Sequence, residues 1–528
     1  MMRKTCLATL VILVGVITVF SAERVHSQTA PSGVLRVAVE TLGNEVLDPI
    51  LGPMSATKLY LPIMYDTLVG ADNTNSALSK ATGVASDWKI SEGGKTYTFY
   101  LRRGIKFSNG DDLTADDVKY SLERTIGPRS VSSNIGALKI AIDKMTVVDP
   151  YTLQIDLKAP QFSFIYNVSS LVGSEAMIVP KKYIERVGEE TFARQPIGSG
   201  PYRLKRYVPG QEIDFEANPN HWSIGVPKFA EVHILNVPEQ GTRLTMLKGD
   251  QADVISVGRQ HTGDLAKSGF LINTKTASNE MQLILNNQWD TKSPLHDKRV
   301  RKAMELAIDR KVILDKLVAG AGQLNRCWLV DVAYASLPKG LCDAPPYDPA
   351  AAKKLLAEAG YPNGFDITYV SYTTLGVPEK TEIDQAIATY LRAVGIRANI
   401  KLLEYGTYRA QWPKPESHPN TIANNPTLSQ IVIGSLIQSF WGEKGLLSTT
   451  RGVNPTSDRA IAAMLTAATL DEYSKHLWES WRAILDDANV VMLFSMDAKY
   501  AANPKKVGAL WPIGTSTADI GLRWLVKR

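Results

Sequence analysis

An α/β protein built in at least two lobes is the fold that three observations predict. The chain has 528 residues, 44% hydrophobic and 21% charged, enough to bury a large core and too long for one compact unit. Short apolar runs with strand alternation are followed along it by runs of helical period. The stretch from Tyr97 to Arg124 shows the pattern in full. Tyr97, Phe99 and Leu101 alternate against Thr98, Tyr100 and Arg102 as a strand. Ser108-Asn109-Gly110-Asp111 turns the chain, because Asn-Gly tolerates positive φ. Thr114 then caps a helix with Asp116 and Asp117 in its first turn and Val118, Tyr120, Ser121 and Leu122 beyond them.

The N-terminus reads as an export signal over 1–27. Arg3 and Lys4 supply positive charge, and Leu7 to Phe20 is an apolar run of 14 residues. A membrane-spanning helix needs about 20 residues, so cleavage is expected, at Val25-His26-Ser27 or at Val19-Phe20-Ser21, with an uncleaved anchor as the competing reading. Cys6 precedes the apolar run, so it is not placed to carry a lipid. The protein is expected in the periplasm.

The mature elements follow in order. Val34 to Val39 is the first strand, Leu47-Asp48-Pro49 a turn, and Ser55 to Val69 suggests a helix ending near Tyr65-Asp66. Met145 to Leu157 reads as a hairpin turning at Asp149-Pro150. In Pro196 to Trp222, Gly198, Gly200 and Pro201 enforce a tight turn, Pro209-Gly210 makes a hairpin, and Asn218-Pro219 leaves the strand. No Lys-Ser/Thr follows Gly-Ser-Gly, so a phosphate cradle is disfavoured. Asp297 caps a helix that buries Val300, Met304, Ala307 and Ile308; Lys298, Arg299, Arg301 and Lys302 then read as its solvated face. Tyr347 to Gly360 is a further helix stopped by glycine, Ile383 to Glu404 a helix and strand, and Trp481 to Phe494 a helix then a strand before a return near Trp524.

Four of these blocks, in the same order, carry a resemblance. LRRGIKFSNGDDLTADDVKYS is similar to "LR-x-G-v-k-F-x-d-G" followed by "l-T-A-x-D-V-x-y-s", the signature of bacterial extracellular solute-binding family 5. PIGSGPYRLKRYVPGQEIDFEANPNHW resembles that family's "P-x-G-t-G-P-Y … p-G … N-P-x-Y-W", with His221 in place of the usual tyrosine. LILNNQWDTKSPLHDKRVRKAMELAIDRKVI and YDPAAAKKLLAEAG match two further blocks. The resemblance implies a two-lobed periplasmic-binding-protein fold with an extra small domain inserted in the first lobe. The expected division is 28–75, 193–288 and 490–528 for the first lobe, 76–192 for the insert and 289–489 for the second lobe. It implies the receptor of an ABC importer, closing on a peptide or peptide-like solute and docking on a membrane permease. An opine, oligosaccharide or other organic solute is the alternative, and a monomer is expected.

The residues supply little for an enzyme. There is no GxSxG, HExxH or P-loop, and after residue 27 no two histidines lie within four residues of each other. Paired acids such as Asp111-Asp112, Asp116-Asp117 and Glu189-Glu190 sit in turns or helix ends, where solvation or capping explains them. A secreted hydrolase with a convergent nucleophile, and a periplasmic chaperone or sensor partner that uses the same fold without import, are the remaining rivals. No cofactor, metal or nucleic acid is expected, the last because a net charge of +6 is mild and dispersed.

Cys327 and Cys342 would close a loop of about 15 residues, worth about 3 kcal/mol as a disulfide; free thiols or a metal site compete. Peptide-binding relatives carry "W-x-x-D-y-p-D-P" in the second lobe, with an aspartate for the peptide amino group. Gln430 to Thr449 holds no aspartate, so the clamp is lost or Glu443 replaces it. Ser435, Gln438, Trp441 and Glu443 are therefore the candidate contacts there, Trp441 equally a core aromatic. On the first lobe, Thr41, Leu42, Gly43, Asn44 and Glu45 follow a strand and should face the cleft, with a solvated charge as the other reading of Glu45. Asn286 and Trp289, expected near the inter-lobe crossing, complete the set.

Overall fold

The computed structural model of the protein describes residues 30–528 apart from 53–55, 73–76, 132–134, 172–175, 224, 329–332, 405, 409–419, 429–431, 444, 446–449, 452, 509–510, 512–520 and 526. The expected export signal at 1–27 lies outside them. Among the described residues no helix is long and apolar enough to cross a membrane.

One sheet of 12 strands runs through both lobes. From the second lobe to the first, its main strands are Ile396–Leu402, Phe365–Ser371, Thr421–Asn424, Leu271–Leu285, Val490–Ala502, Val254–Ser256, Val34–Val39, Glu231–Asn236, Glu212–Ala217 and Tyr202–Val208. In each lobe three strands are parallel: Val34–Val39 between Glu231–Asn236 and Val254–Ser256, and Phe365–Ser371 between Ile396–Leu402 and Thr421–Asn424. Val34–Val39, flanked on both sides, is buried on both faces along Val37–Val39, which fits the near-continuous apolar run of VLRVAV, whereas the edge strand Ile396–Leu402 is largely exposed.

Leu271–Leu285 and Val490–Ala502 pair antiparallel along nearly their whole length and belong to both lobes. Their register shifts between Lys275 and Asn279. There Ala277 takes a left-handed φ of 47° and donates its N–H to Asp497 Oδ1 at 3.1 Å. On one side of the shift Ala498, Tyr500 and Ala502 join the first-lobe core; on the other Met281, Leu283, Leu285, Val491 and Phe494 join the second. Core membership thus changes near 275–279 and 496–498, away from the expected boundaries at 288/289 and 489/490. The physical reason is a bulge inside a single long strand, which leaves both halves with the strand period.

The small domain is a four-stranded antiparallel sheet in the order Ala85–Ile90, Thr96–Leu101, Thr152–Leu157, Ile142–Asp149. Phe99, Leu101, Leu153 and Ile155 form its core with Val118 and Leu122 of helix Ala115–Thr125. That helix opens on a capping box: Asp117 accepts from Thr114 N at 2.9 Å. The expected helix from Ser55 to near Tyr65-Asp66 is instead a 3-10 turn at Ala56–Leu59 and one helical turn at Leu61–Met64. Pro62 lacks an N–H and so sits near a helix start, not inside a longer helix.

Asp66, fully buried, ties this region to the C-terminal return. It accepts from Ser199 Oγ and Trp222 Nε1, both at 2.9 Å, and from Arg523 Nη2 at 2.5 Å. Its neighbour His221 bonds through Nδ1 to Ser199 O at 3.1 Å, and burial pushes its pKa from 6.5 down to about 4. The folded state therefore binds fewer protons than the unfolded state between those values. The His221 contribution should lower stability as pH drops from 6.5 to about 4, by up to about 3 kcal/mol, after which carboxylates held low in the fold, Asp66 among them, carry the loss on. Urea denaturation across that range checks it, and His221→Phe should flatten the fall.

Candidate functional site

Parallel strands offer binding sites at their carboxyl ends, where backbone groups and loop side chains are exposed. The first residues beyond the first-lobe strands are Glu40, Val237 and Val257, and those beyond the second-lobe strands are Tyr372, Leu403 and Asn425. The two sets of ends meet. Arg259 of the first lobe is held by Glu379 of the second, with Nη1 2.5 Å from Oε2 and its N–H 2.7 Å from Oε1. Its remaining donors reach Gly376 O at 3.0 Å and Asp497 O at 2.9 Å. Glu40 Oε1 accepts from Gly376 N, and Leu375 packs into the first-lobe core. Arg259 and Glu379 are both buried, so each charge depends on the other.

Beside this clasp runs a ladder of buried polar side chains. Tyr372 stacks on Tyr408, with ring centroids 4.3 Å apart, and donates to Asn425 Oδ1 at 2.8 Å. Asn425 Nδ2 and Gln282 Nε2 both donate to Thr427 Oγ1, at 3.1 and 2.7 Å. Trp328 Nε1 donates to Gln282 Oε1 at 3.2 Å. Nearer the crossing, Glu280 Oε2 accepts from Ser495 Oγ at 2.5 Å and from Asn325 Nδ2 at 3.3 Å. Neutral amides and hydroxyls between aromatic faces can orient a solute by hydrogen bonds without a metal. Among the described residues no group of three His, Cys, Asp or Glu could hold a metal ion. His233 and His476 bond to Glu231 and Glu479, and His221 and His296 to backbone carbonyls, so none of these contacts activates a hydroxyl.

The sequence-derived contacts divide. Leu42 is fully buried in the first-lobe core and presents nothing to a cleft. Glu45 turns outward: it accepts from Tyr207 OH at 2.7 Å and Gly210 N at 2.9 Å and so holds the Pro209-Gly210 hairpin. Gly43 and Asn44 are half-buried beside Glu40, and Gly43 N donates to Thr41 Oγ1 at 3.0 Å. Asn286 bonds Thr421 Oγ1 at 2.8 Å, and Arg451 lies 4.2 Å over the Trp289 ring. Thr421 begins the strand whose far end leads to Asn425, so Asn286 and Trp289 lie at the opposite edge of the lobe. Their expected place at the crossing is corrected: Leu271–Leu285 runs on past the crossing for several residues before it reaches them.

Helix Gly434–Trp441 carries the rest. Ser435 is buried, and Gln438 faces the small domain, where a Cβ on Gly136 would stand 3.0 Å from its Oε1. Trp441 is a core residue, packed 5.4 Å from Trp328 and 5.5 Å from Phe440 and Trp481 between ring centroids. Of the two readings of Trp441, its packing is that of the core aromatic: at this helix end the apolar period turns the ring inward. Glu443 is exposed, and its N–H donates to Asp458 Oδ1 at 2.7 Å. Cys327 and Cys342 form a disulfide, with Cα atoms 5.3 Å apart, behind Trp328.

The sequence reading missed Glu40, Arg259, Tyr372, Glu379 and Asn425. A charge placed just after an apolar strand, as Glu40 follows VLRVAV, is the signal that could have found the first.

Two expectations follow. Trp441→Ala should destabilise the fold by roughly 3–5 kcal/mol, because it opens a cavity among three large rings; an unchanged urea midpoint would remove Trp441 from the core. Glu379→Met should cost a comparable about 3–5 kcal/mol by leaving Arg259 buried and unpaired, read in the same denaturation.

Comparison with known proteins places this geometry. A family model described as "Bacterial extracellular solute-binding proteins, family 5 Middle" matches residues 81–429. The glutathione-binding protein GsiB of Salmonella choleraesuis (strain SC-B67) is 30% identical over 367 residues, 69% of each chain. Among solved structures, the ABC transporter-associated periplasmic binding protein DppA of Helicobacter pylori, in complex with the peptide STSA, has a TM-score of 0.82 at 20% identity. It covers 94% of this chain and 98% of its own. AgaA of A. tumefacien R10, in complex with agropinic acid, has a TM-score of 0.82 at 22% identity and covers 94% and 99%.

Proposed function

The chain belongs to the bacterial extracellular solute-binding proteins of family 5, and we propose that it is the periplasmic receptor of an ABC importer. It captures a peptide or peptide-like solute between its lobes and hands it to a membrane permease, the ATPase being a separate chain. It acts as a monomer after its export signal is removed, carries no lipid and turns nothing over.

The observation that carries this reading is the meeting of strand ends from both lobes beside the ladder Tyr372–Asn425–Thr427–Gln282. Amide and hydroxyl groups of this kind pair with peptide N–H and C=O groups, which favours a peptide-like solute. Gln438, Ser435, Gly43 and Asn44 are the further contacts of this reading. The opine reading has its own support, from the missing aspartate in 430–449 and from the likeness to a protein bound to agropinic acid.

Retention by such a receptor needs only about 8 kcal/mol for a micromolar Kd. Mass spectrometry of solute released from natively purified protein should identify a small peptide-like compound. Titration calorimetry with it, with glutathione and di- and tripeptides, and with an opine should give binding that raises the melting temperature without turnover. Hydrolysis of the bound compound, or binding by none of these classes, would overturn the reading.

A further inference from the structure

The two lobes also touch through the small domain. Gln161 and Phe162 follow its strand Thr152–Leu157. Gln161 Nε2 donates to Leu465 O at 2.5 Å, and Phe162 N donates to Ala467 O at 2.8 Å. The acceptors sit between second-lobe helices Pro455–Leu465 and Leu470–Asp486. The Phe162 ring lies 5.6 Å from that of Tyr473 in the second of these helices. On the adjoining small-domain helix Ile135–Ala141, Gly136 approaches Gln438 so closely that a Cβ would meet Oε1 at 3.0 Å.

No stretch of chain links the small domain directly to the second lobe, since both its ends lead into the first. These contacts must therefore part whenever the lobes rotate about the crossing strands. The Arg259–Glu379 clasp differs, because Arg259 also bonds Asp497 O within the crossing itself and stays close to the pivot. The small-domain contact is balanced. It gains two hydrogen bonds and a ring contact, but it leaves Gln161 Oε1 buried with no partner, which opposes closing.

We propose that Gln161 and Phe162 form a reversible latch on the 465–467 turn, which holds the closed state and sets how long a captured solute is retained. The glycine at 136 is part of the device, because it lets the small domain seat against Gln438. The retention half rests on the receptor reading; the closing half does not.

Spin labels at Lys144→Cys in the small domain and Lys475→Cys in the second lobe, both exposed, allow both halves to be tested. Pulsed electron resonance on solute-free protein should show a dominant short distance, which Gln161→Ala and the wedge Gly136→Leu each shift to longer values at an unchanged melting temperature. The same variants should release the co-purifying solute roughly tenfold faster, since such changes act mainly on dissociation. A distance shift in protein that holds no solute would support the latch while the receptor reading fails. Unchanged distances in both variants, or shifted distances with an unchanged release rate, would overturn the proposal.

Discussion

The antiparallel pairing of Leu271–Leu285 with Val490–Ala502 joins the two lobes by backbone hydrogen bonds instead of a loose linker. Because both strands continue the sheet on either side, the lobes share one hydrogen-bonded frame. The pairing is interrupted by register shifts between Lys275 and Asn279 and between Met281 and Gln282. The left-handed Ala277, held by Asp497, marks the first of these. A non-glycine residue there costs about 1–2 kcal/mol, and strain of this kind persists only where the surroundings enforce it. Here they do, through the Asp497 carboxylate on one side and the Arg259 guanidinium on the Asp497 carbonyl.

From that frame the position of the site follows. Parallel strands in each lobe end toward the other, so their exit loops meet where the sheet passes between lobes. A buried pair, Arg259 and Glu379, fixes the meeting. The polar ladder beside it is built of amides and hydroxyls, with the Lys380–Asp384 pair against the Tyr372 ring and Glu280 on hydroxyl and amide partners at the crossing end. An arrangement of this kind selects by shape and hydrogen bonding more than by net charge.

Much of the fold was legible in the sequence because local rules and tertiary structure agree there. The strand at Tyr97, the Thr114 cap, the Asp149-Pro150 hairpin and the Asp297 cap all appear as expected. Arg301, however, expected on the solvated face of the Asp297-capped helix, is buried and bonded to Asp487 and to Leu295 O. The site was less legible, for physical reasons. Strand period cannot show which end of a strand faces a cleft, so Asn286 and Trp289 were set at the wrong edge. An aromatic at helical spacing reads alike in a core and in a pocket wall, and Trp441 proved to be core. Arg259 and Glu379 lie far apart in sequence and acquire meaning only when the lobes meet. The chain's four family blocks mark scaffold, and the groups around the ladder fall largely outside them.

Hydrogen exchange on the natively purified protein, with and without its solute, tests the central claim most directly. The account predicts that the crossing strands exchange slowly in both states. Solute should protect Tyr372–Glu379, Asn425–Leu428 and Leu465–Ala467 together, since all three face the closing lobes. Rapid exchange in the crossing strands, or protection confined to one lobe's outer surface, would contradict it.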